Sequence, residues 1–149
     1  MAERVKKRSE IREQDTWKLE DMIASPEKFE ELADGVEERI PGYETYRGKL
    51  GSSADLLKSY LEFDESMDET ISLLYAYAMQ KRDQDTSVSE NQALVSRVQS
   101  LAVKAMAASS FAQPEILEIP VKEGDKVTKG QNVCSRKNRI CFQRRRKQS

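Results

Sequence analysis

Residues 52–113 decide the fold, because neither proline nor glycine interrupts them: SSADLLKSYLEFDESMDETISLLYAYAMQKRDQDTSVSENQALVSRVQSLAVKAMAASSFAQ. Before the polar segment 82–89, apolar residues recur at helical spacing; they are Leu57, Tyr60, Leu61, Met67, Ile71, Leu74, Tyr75 and Ala78. A second stripe follows that segment and comprises Leu94, Val95, Val98, Leu101, Ala102, Ala105, Met106 and Ala108. Two long helices with a short polar joint fold back on each other. The sequence therefore predicts an all-α fold, an antiparallel helical hairpin or bundle.

Capping residues indicate where the helices begin. Ser25 before Pro26 predicts a helix start, since a serine hydroxyl accepts from free amides and proline suits the first helical position. Either serine of residues 52–53 can cap the long helix in the same way. Ser87 and Glu90 have capping-box spacing, which predicts the start of the last long helix.

The predicted domain extends upstream of the hairpin. Residues 1–16 form a charged, loosely ordered leader, and residues 17–23 (WKLEDMI) bring Trp17 and three aliphatic side chains together as an anchor on the core. Residues 29–40 carry an apolar face at helical spacing, and residues 41–42 (PG) end that helix. We assign residues 17–119 to one helical domain.

The chain changes character near Pro120. Residues 116–121 (ILEIPV) predict extended backbone, residues 121–133 (VKEGDKVTKGQNV) a possible β-hairpin, and residues 134–149 a disordered basic end. Residues 1–125 hold 16 basic and 26 acidic side chains, whereas residues 126–149 hold nine basic and no acidic ones. This asymmetry indicates that residues 120–149 are a separate tail, and a frameshift or gene junction near Pro120 would produce it.

Histidine is absent from the whole sequence, which excludes histidine-activated nucleophiles and histidine-ligated metal sites. Cys134 and Cys141 are the two cysteines, too few for a structural zinc site, and we expect reduced thiols. We predict no catalytic, cofactor-binding or metal-binding residue. The acidic residues are expected on solvated helix faces; examples are Glu30, Glu31, Glu37, Glu38 and Glu90.

Five ordered segments give the chain a family resemblance. They are residues 8–21, with RSEI and DTWKLED, and residues 46–50 (YRGKL), 74–78 (LYAYA), 100–104 (SLAVK) and 109–117 (SSFAQPEIL). In this order, over about residues 8–119, they resemble the N-terminal helical domain of oligoendopeptidase F.

The resemblance implies a chamber-wall domain of a zinc metallopeptidase that hydrolyses oligopeptides. In that family an H-E-x-x-H helix of a later catalytic domain holds zinc, because two histidines one turn apart face the same ion. This chain has no histidine, so we expect no activity from it alone and interpret it as truncated near residue 120. Its expected partner is the missing catalytic domain, with oligopeptide bound only in the complete enzyme. Candidates for the face packed on that domain are Tyr43, Tyr46, Tyr75 and Tyr77, although ordinary core and boundary positions are the preferred interpretation of these tyrosines.

Two other functions remain open at the level of sequence. The hairpin can act as a stand-alone helical module that binds another polypeptide through exposed apolar residues. The basic residues 136–147 can neutralise phosphates, but Phe142 is the only aromatic residue near them, so nucleic-acid binding is disfavoured. The hairpin-like residues 121–133 resemble part of a biotinyl or lipoyl carrier domain but lack the modified lysine motif.

The absence of a long apolar stretch and of a signal-like start predicts a cytoplasmic protein without membrane contact.

Overall fold

The computed structural model describes residues 10–119, and every regular element within that range is helical. The α-helices are α1 (Pro26–Arg39), α2 (Ala54–Gln84), α3 (Ser89–Ser109) and α4 (Ala112–Glu118). Short 3-10 helices span Glu13–Asp15, Leu19–Asp21 and Ile40–Thr45. The predicted all-α class is confirmed. The predictions for residues 121–133 and 134–149, and for residues 1–9 of the leader, lie outside the described residues.

Two of the predicted helix starts are confirmed by their hydrogen bonds. The Ser25 hydroxyl accepts from the amide of Lys28 at 3.2 Å, and Pro26 occupies the first position of α1. The Ser53 hydroxyl accepts from the amide of Leu56 at 3.1 Å and begins α2. Each serine thereby satisfies an amide that has no partner within its helix, which stabilises a helix by about 1 kcal/mol.

Helices α2 and α3 form the predicted antiparallel hairpin. At its closed end, the Asn91 side chain donates to the carbonyl of Lys81 at 3.0 Å; near the open end, the Tyr60 and Phe111 rings lie 6.0 Å apart. The helices meet through fully buried side chains, which are Met67, Leu74, Ala78 and Val98. Burying side chains of this size stabilises the fold by roughly 1.5–3 kcal/mol each, apart from the smaller alanine. The hairpin is therefore held by its own apolar seam.

Helix α1 and the 3-10 helix that follows it cover one side of the hairpin. The Phe29 ring of α1 lies 5.7 Å from the Tyr77 ring of α2, and the Tyr43 ring lies 5.0 Å from Phe63 in an edge-on arrangement. Residues 41–42 end the α-helix as predicted, but the chain continues as a 3-10 helix through Thr45. This continuation places Tyr43 in the core, where it is 2% exposed.

The predicted capping box at the start of α3 is wrong. Val88 is the N-cap residue, and no side chain caps the helix. The Ser87 amide and hydroxyl instead donate to the Asp85 carboxylate, at 3.0 and 2.5 Å. Asp85 follows α2 and accepts these bonds within the turn, as aspartate side chains commonly do with the amide two residues ahead. The Ser87 hydroxyl is therefore engaged in the turn and does not cap α3.

The prediction of extended backbone after residue 115 is also wrong for the residues that the structure describes. Residues 116–118 belong to α4, and extended backbone begins only at Ile119, with φ −61° and ψ 119°. Pro114 is compatible with this helix because it occupies the third position, where the amide would lack an intrahelical partner. The α4 helix thus closes the domain at the open end of the hairpin.

The Trp17 side chain departs from its predicted role as a core anchor. Leu19 and Ile23 are buried as expected, each 3% exposed, whereas Trp17 is 83% exposed. The 3-10 helix Leu19–Asp21 turns the chain so that the two aliphatic residues face the core. Trp17 precedes that turn, and its ring is left on the surface.

Candidate interaction surface

The described residues do not assemble a metal centre. Within residues 10–119, no group of three or more histidine, cysteine, aspartate and glutamate side chains is placed to hold a metal ion. In the same range, no helix is both long and apolar enough to cross a membrane.

Acidic side chains of α1 connect to α3 as well as facing solvent. The Arg97 guanidinium contacts Glu30 and lies 2.6 Å from the Asp34 carboxylate, and the Lys104 ammonium lies 2.5 Å from Glu37. All of these side chains remain about one third or more exposed. The expectation that Glu30 and Glu37 only face solvent is therefore too simple, because they also orient α1 against α3.

Two of the sequence segments that carry the family resemblance meet in space. The Glu115 carboxylate of α4 accepts from the Gly48 amide at 2.6 Å and from the Leu50 amide at 3.3 Å. The Arg47 guanidinium lies 4.6 Å from the centre of the Phe111 ring. Residues 46–50 and 109–117 thus form one contact, in which a carboxylate satisfies two backbone donors and a cation lies over an aromatic face.

A polar pair lies between α2 and the 3-10 helix that follows α1. The Tyr43 hydroxyl donates to the Asp64 carboxylate at 2.7 Å. Burial of the ring, together with the negative Asp64 carboxylate, raises the pKa of Tyr43 well above its ordinary value. Arg39 donates to Ser66 at 3.0 Å on the same side of α2. These bonds hold the end of α1 and the following 3-10 helix against α2.

The four tyrosines proposed for an interdomain face have different environments. Tyr43 and Tyr77 are buried, at 2% and 4% exposure, and Tyr46 is partly buried against the Tyr60 and Phe63 rings. Tyr75 is 40% exposed. Only Tyr75 is substantially available to a partner, whereas Tyr43 and Tyr77 are core residues, in agreement with the preferred interpretation of these positions.

The side of the hairpin away from α1 displays four exposed apolar side chains, which we call the back face: Leu61, Tyr75, Val103 and Met106. Two residues along a helix correspond to roughly 200° of rotation. Leu61 lies two residues before Phe63, and Tyr75 lies two residues before Tyr77; both of these rings face the α1 side. Met106 lies two residues after Lys104, which also contacts α1. Leu61, Tyr75 and Met106 therefore lie on the opposite side. Exposures of 45%, 40%, 65% and 71% show that residues 10–119 leave a large part of each side chain open to solvent.

The α3 part of the back face is also depleted of charge. Between residues 98 and 114 the only charged residue is Lys104, which contacts Glu37 of α1. The exposed neighbours of Val103 and Met106 are uncharged, namely Gln99, Ser100, Ala107 and Ser110. Low charge around apolar anchors is typical of the central part of a protein interface. The back face is the strongest candidate for a docking surface on the described residues.

Sequence reasoning singled out the aromatic residues but not the polar residues that organise the domain. Glu115 directly precedes the segment predicted to be extended, and Asp64 falls between the apolar positions of α2. The sequence offers one indirect signal for the Glu115 contact, which is that residues 46–50 and 109–117 both carry the family resemblance. Their contact depends on tertiary packing, which residue spacing along one helix does not encode. Met106 and Leu61 were assigned to the apolar stripes but lie at their solvent edge.

Several curated proteins are similar to this chain. Oligopeptidase PepF of Bacillus subtilis (strain 168) is 39% identical over 112 residues, which are 75% of this chain and 17% of that protein. Oligoendopeptidase F, chromosomal, of Lactococcus lactis subsp. cremoris is 32% identical over 120 residues, which are 80% of this chain and 20% of that protein. An oligoendopeptidase F homolog of Lactococcus lactis subsp. lactis (strain IL1403) is 35% identical over 115 residues. The chain spans about one fifth of the length of these relatives. No protein-family model and no solved structure matches it.

Proposed function

About three quarters of this chain is homologous to proteins of the oligoendopeptidase F group, and on that basis we propose that it is their non-catalytic helical chamber-wall domain. The observation that carries the proposal is the extent of the match. It covers 75–80% of the chain but only 17–20% of the relatives. A domain-sized part of an oligopeptide-cleaving zinc metallopeptidase accounts for both figures.

In the proposed function, zinc and the reaction belong to a catalytic domain outside this chain. The sequence has no histidine with which to build an H-E-x-x-H helix. When bound in that other domain, zinc would polarise the peptide carbonyl and activate water. The residues of this chain would supply a rigid wall, held by the α2–α3 seam and by the contact of Glu115 with residues 48–50. Oligopeptide would bind only in the complete enzyme.

The proposed partner of the back face is the catalytic domain. The back face combines two exposed apolar side chains of α2 with two on a part of α3 whose only charged residue is Lys104. Covering these side chains stabilises a complex by about 25 cal/mol per Å² of apolar area removed from water. The relatives possess the additional chain length that such a partner requires, since the matched segment is at most one fifth of each. The back face would therefore correspond to an intramolecular interface in a relative.

Binding to the rest of a relative tests this proposal. The full chain is mixed with Bacillus subtilis oligopeptidase PepF from which the matched 112-residue segment has been deleted, and complex formation is followed by size-exclusion chromatography. We expect co-elution that Leu61→Glu or Met106→Glu abolishes. Leu117→Glu is the matched control, because Leu117 on α4 is 49% exposed, close to the 45% of Leu61. Co-elution that survives both back-face variants contradicts the assigned interface, and no co-elution contradicts the partner.

The exposed back face also fits a stand-alone interaction module, and the behaviour of the full chain distinguishes the two functions. A wall domain separated from its partner is expected to bind a hydrophobic dye, and Met106→Glu should reduce that binding. A stand-alone module is expected to be monodisperse, to unfold cooperatively and to leave the dye unbound. Dye fluorescence and light scattering on the same sample measure the difference.

A further inference from the structure

An open cleft of about 420 Å³ lies between the N-terminal segment and the carboxyl end of α2. Trp17 and Asp15 line it from the segment, and Gln80, Asp83 and Gln84 line it from the last turn of α2. The cleft is separate from the back face, because its residues belong to the closed end of the hairpin. Ile11, Thr16 and Leu19 complete the lining, so an indole, two carboxylates and two carboxamides lie beside a smaller apolar part.

The electrostatics of the cleft favour a positive charge. None of the residues lining it is basic, and two of them are carboxylates, Asp15 and Asp83. The cleft also lies at the end of α2, which finishes at Gln84, and the carbonyl end of a helix carries partial negative charge. Within residues 10–119 there are 11 basic and 23 acidic side chains, so the surrounding field has the same sign.

Two arginines already contact the cleft carboxylates from outside it. The Arg12 side chain lies 2.9 Å from Asp15, and the Arg82 side chain lies 2.7 Å from Asp83. Both pairs join residues close in sequence; the Arg12 and Asp15 side chains are 75% and 48% exposed, and those of Arg82 and Asp83 are 34% and 59% exposed. Exposed pairs such as Arg12–Asp15 stabilise a fold by about 0–1 kcal/mol, so a ligand cation can replace that arginine at little cost. Arg82 donates two hydrogen bonds to one Asp83 oxygen, which leaves the other carboxylate oxygen to accept from a ligand cation.

Trp17 provides the recognition element that distinguishes the cleft from a simple acidic patch. Its side chain is 83% exposed, although a tryptophan of a soluble domain is usually well covered. A guanidinium or ammonium group over an indole face gains about 0.5–1 kcal/mol at an exposed site and more when desolvated. The indole and the two carboxylates thus offer complementary contacts to one cationic group.

We propose that this cleft binds the cationic side chain of an arginine- or lysine-containing peptide, with the charged group between Trp17 and Asp83. The proposal does not depend on the zinc-peptidase assignment, because it rests on residues at the closed end of the hairpin. Gln80 and Gln84 can bond to the peptide backbone or to the remaining donors of a guanidinium. A neutral or acidic peptide of the same length lacks both the cation–π and the carboxylate contacts.

The fluorescence of Trp17 tests the proposal on the full chain, since this is the only tryptophan in the sequence. The probes are acetyl-Gly-Arg-Gly-amide and acetyl-Gly-Gln-Gly-amide, titrated at low ionic strength. We expect a saturable fluorescence change with the arginine peptide, a dissociation constant in the millimolar range, on the order of 1 mM, and no saturation with the glutamine peptide. Asp83→Asn should weaken binding about five-fold or more.

Glu69→Gln is the matched control, because it removes one negative charge from an exposed position of α2 that does not line the cleft. Equal weakening by Asp83→Asn and Glu69→Gln would show attraction to overall charge and overturn the site. An equal response to the two peptides would overturn the cationic specificity. Changes in the amide NMR shifts of Gln80 and Gln84 on addition of the arginine peptide provide a second readout. If a Trp17→Phe variant keeps the wild-type spectrum elsewhere but loses these changes, the role of the indole is supported.

Discussion

Glu115 and Gly48 are joined by a hydrogen bond of 2.6 Å across 67 residues of sequence. The glutamate belongs to α4 at the end of the described domain, and the glycine belongs to the connector before α2. The same carboxylate also accepts from the Leu50 amide. This contact closes the open end of the hairpin, because it joins the connector to α4.

Removing the Glu115 carboxylate should destabilise the domain. We expect Glu115→Ala to lower the free energy of unfolding by about 1–3 kcal/mol, because two backbone donors lose a charged acceptor. Glu115→Gln should cost less, since its side-chain oxygen still accepts. Urea denaturation followed by circular dichroism measures the difference, with Glu69→Gln as the control on an exposed glutamate. Equal stability of the alanine variant and the control would contradict the closing role.

Gly48 and Gly35 offer a matched pair of glycine substitutions with opposite expected signs. Gly48 has φ +76°, whereas Gly35 lies inside α1, and an added Cβ meets nothing within 4 Å at either position. Gly48→Ala should cost about 1–2 kcal/mol through backbone strain alone. Gly35→Ala should stabilise the domain by about 0.5–1 kcal/mol through helix propensity. Thermal unfolding of both variants tests the pair, and a stabilised Gly48→Ala protein would contradict the assigned backbone conformation.

The ion pairs between α1 and α3 should orient the helices more than they stabilise them. Arg97 is 35% exposed and its partner Asp34 is 64% exposed, so solvent screens the attraction. We expect Arg97→Met to cost no more than about 1 kcal/mol at low salt and less at about 1 M salt. Lys58→Met, which removes an exposed pair within α2, is the control. A loss of several kcal/mol that is independent of salt would contradict this weak role.

Tyr60 should make the domain sensitive to alkaline pH. Its burial, reinforced by the negative charges of Asp64 and Glu115, raises its pKa to about 12. The unfolded chain ionises this tyrosine near pH 10, so the stabilising effect is complete below pH 10 and is lost as pH rises towards 12. We expect Tyr60→Phe to flatten the decline of the unfolding free energy between these values. Denaturation at a series of pH values measures the slope, and an unchanged slope would contradict the assignment.

The sequence determined the long helices well because their signals are local. Ser25 and Ser53 cap their helices as predicted, and the apolar spacing identified Met67 and Leu74 as core residues. The end of the domain was less predictable. The sequence ILE of residues 116–118 suits a strand as well as a helix, and tertiary packing of α4 resolves that ambiguity.

The interaction surface was predictable only in outline. Periodicity assigned Met106 and Leu61 to apolar stripes without indicating how wide the buried part of each stripe is. That width depends on where α1 packs, and α1 covers one side of the hairpin only. Residue spacing likewise does not predict that Trp17 is exposed, because the orientation of its side chain depends on the turn at Leu19–Asp21.

The most direct measurement of the wall-domain function is the activity of a chimera. The matched segment of Bacillus subtilis oligopeptidase PepF is replaced by residues 8–119 of this chain, and cleavage of an oligopeptide is measured against the parent enzyme. A wall domain of the same group should give a chimera whose turnover lies within about tenfold of the parent, because the reacting groups are untouched. A folded, monodisperse chimera with its zinc bound but no measurable cleavage would contradict the proposed function.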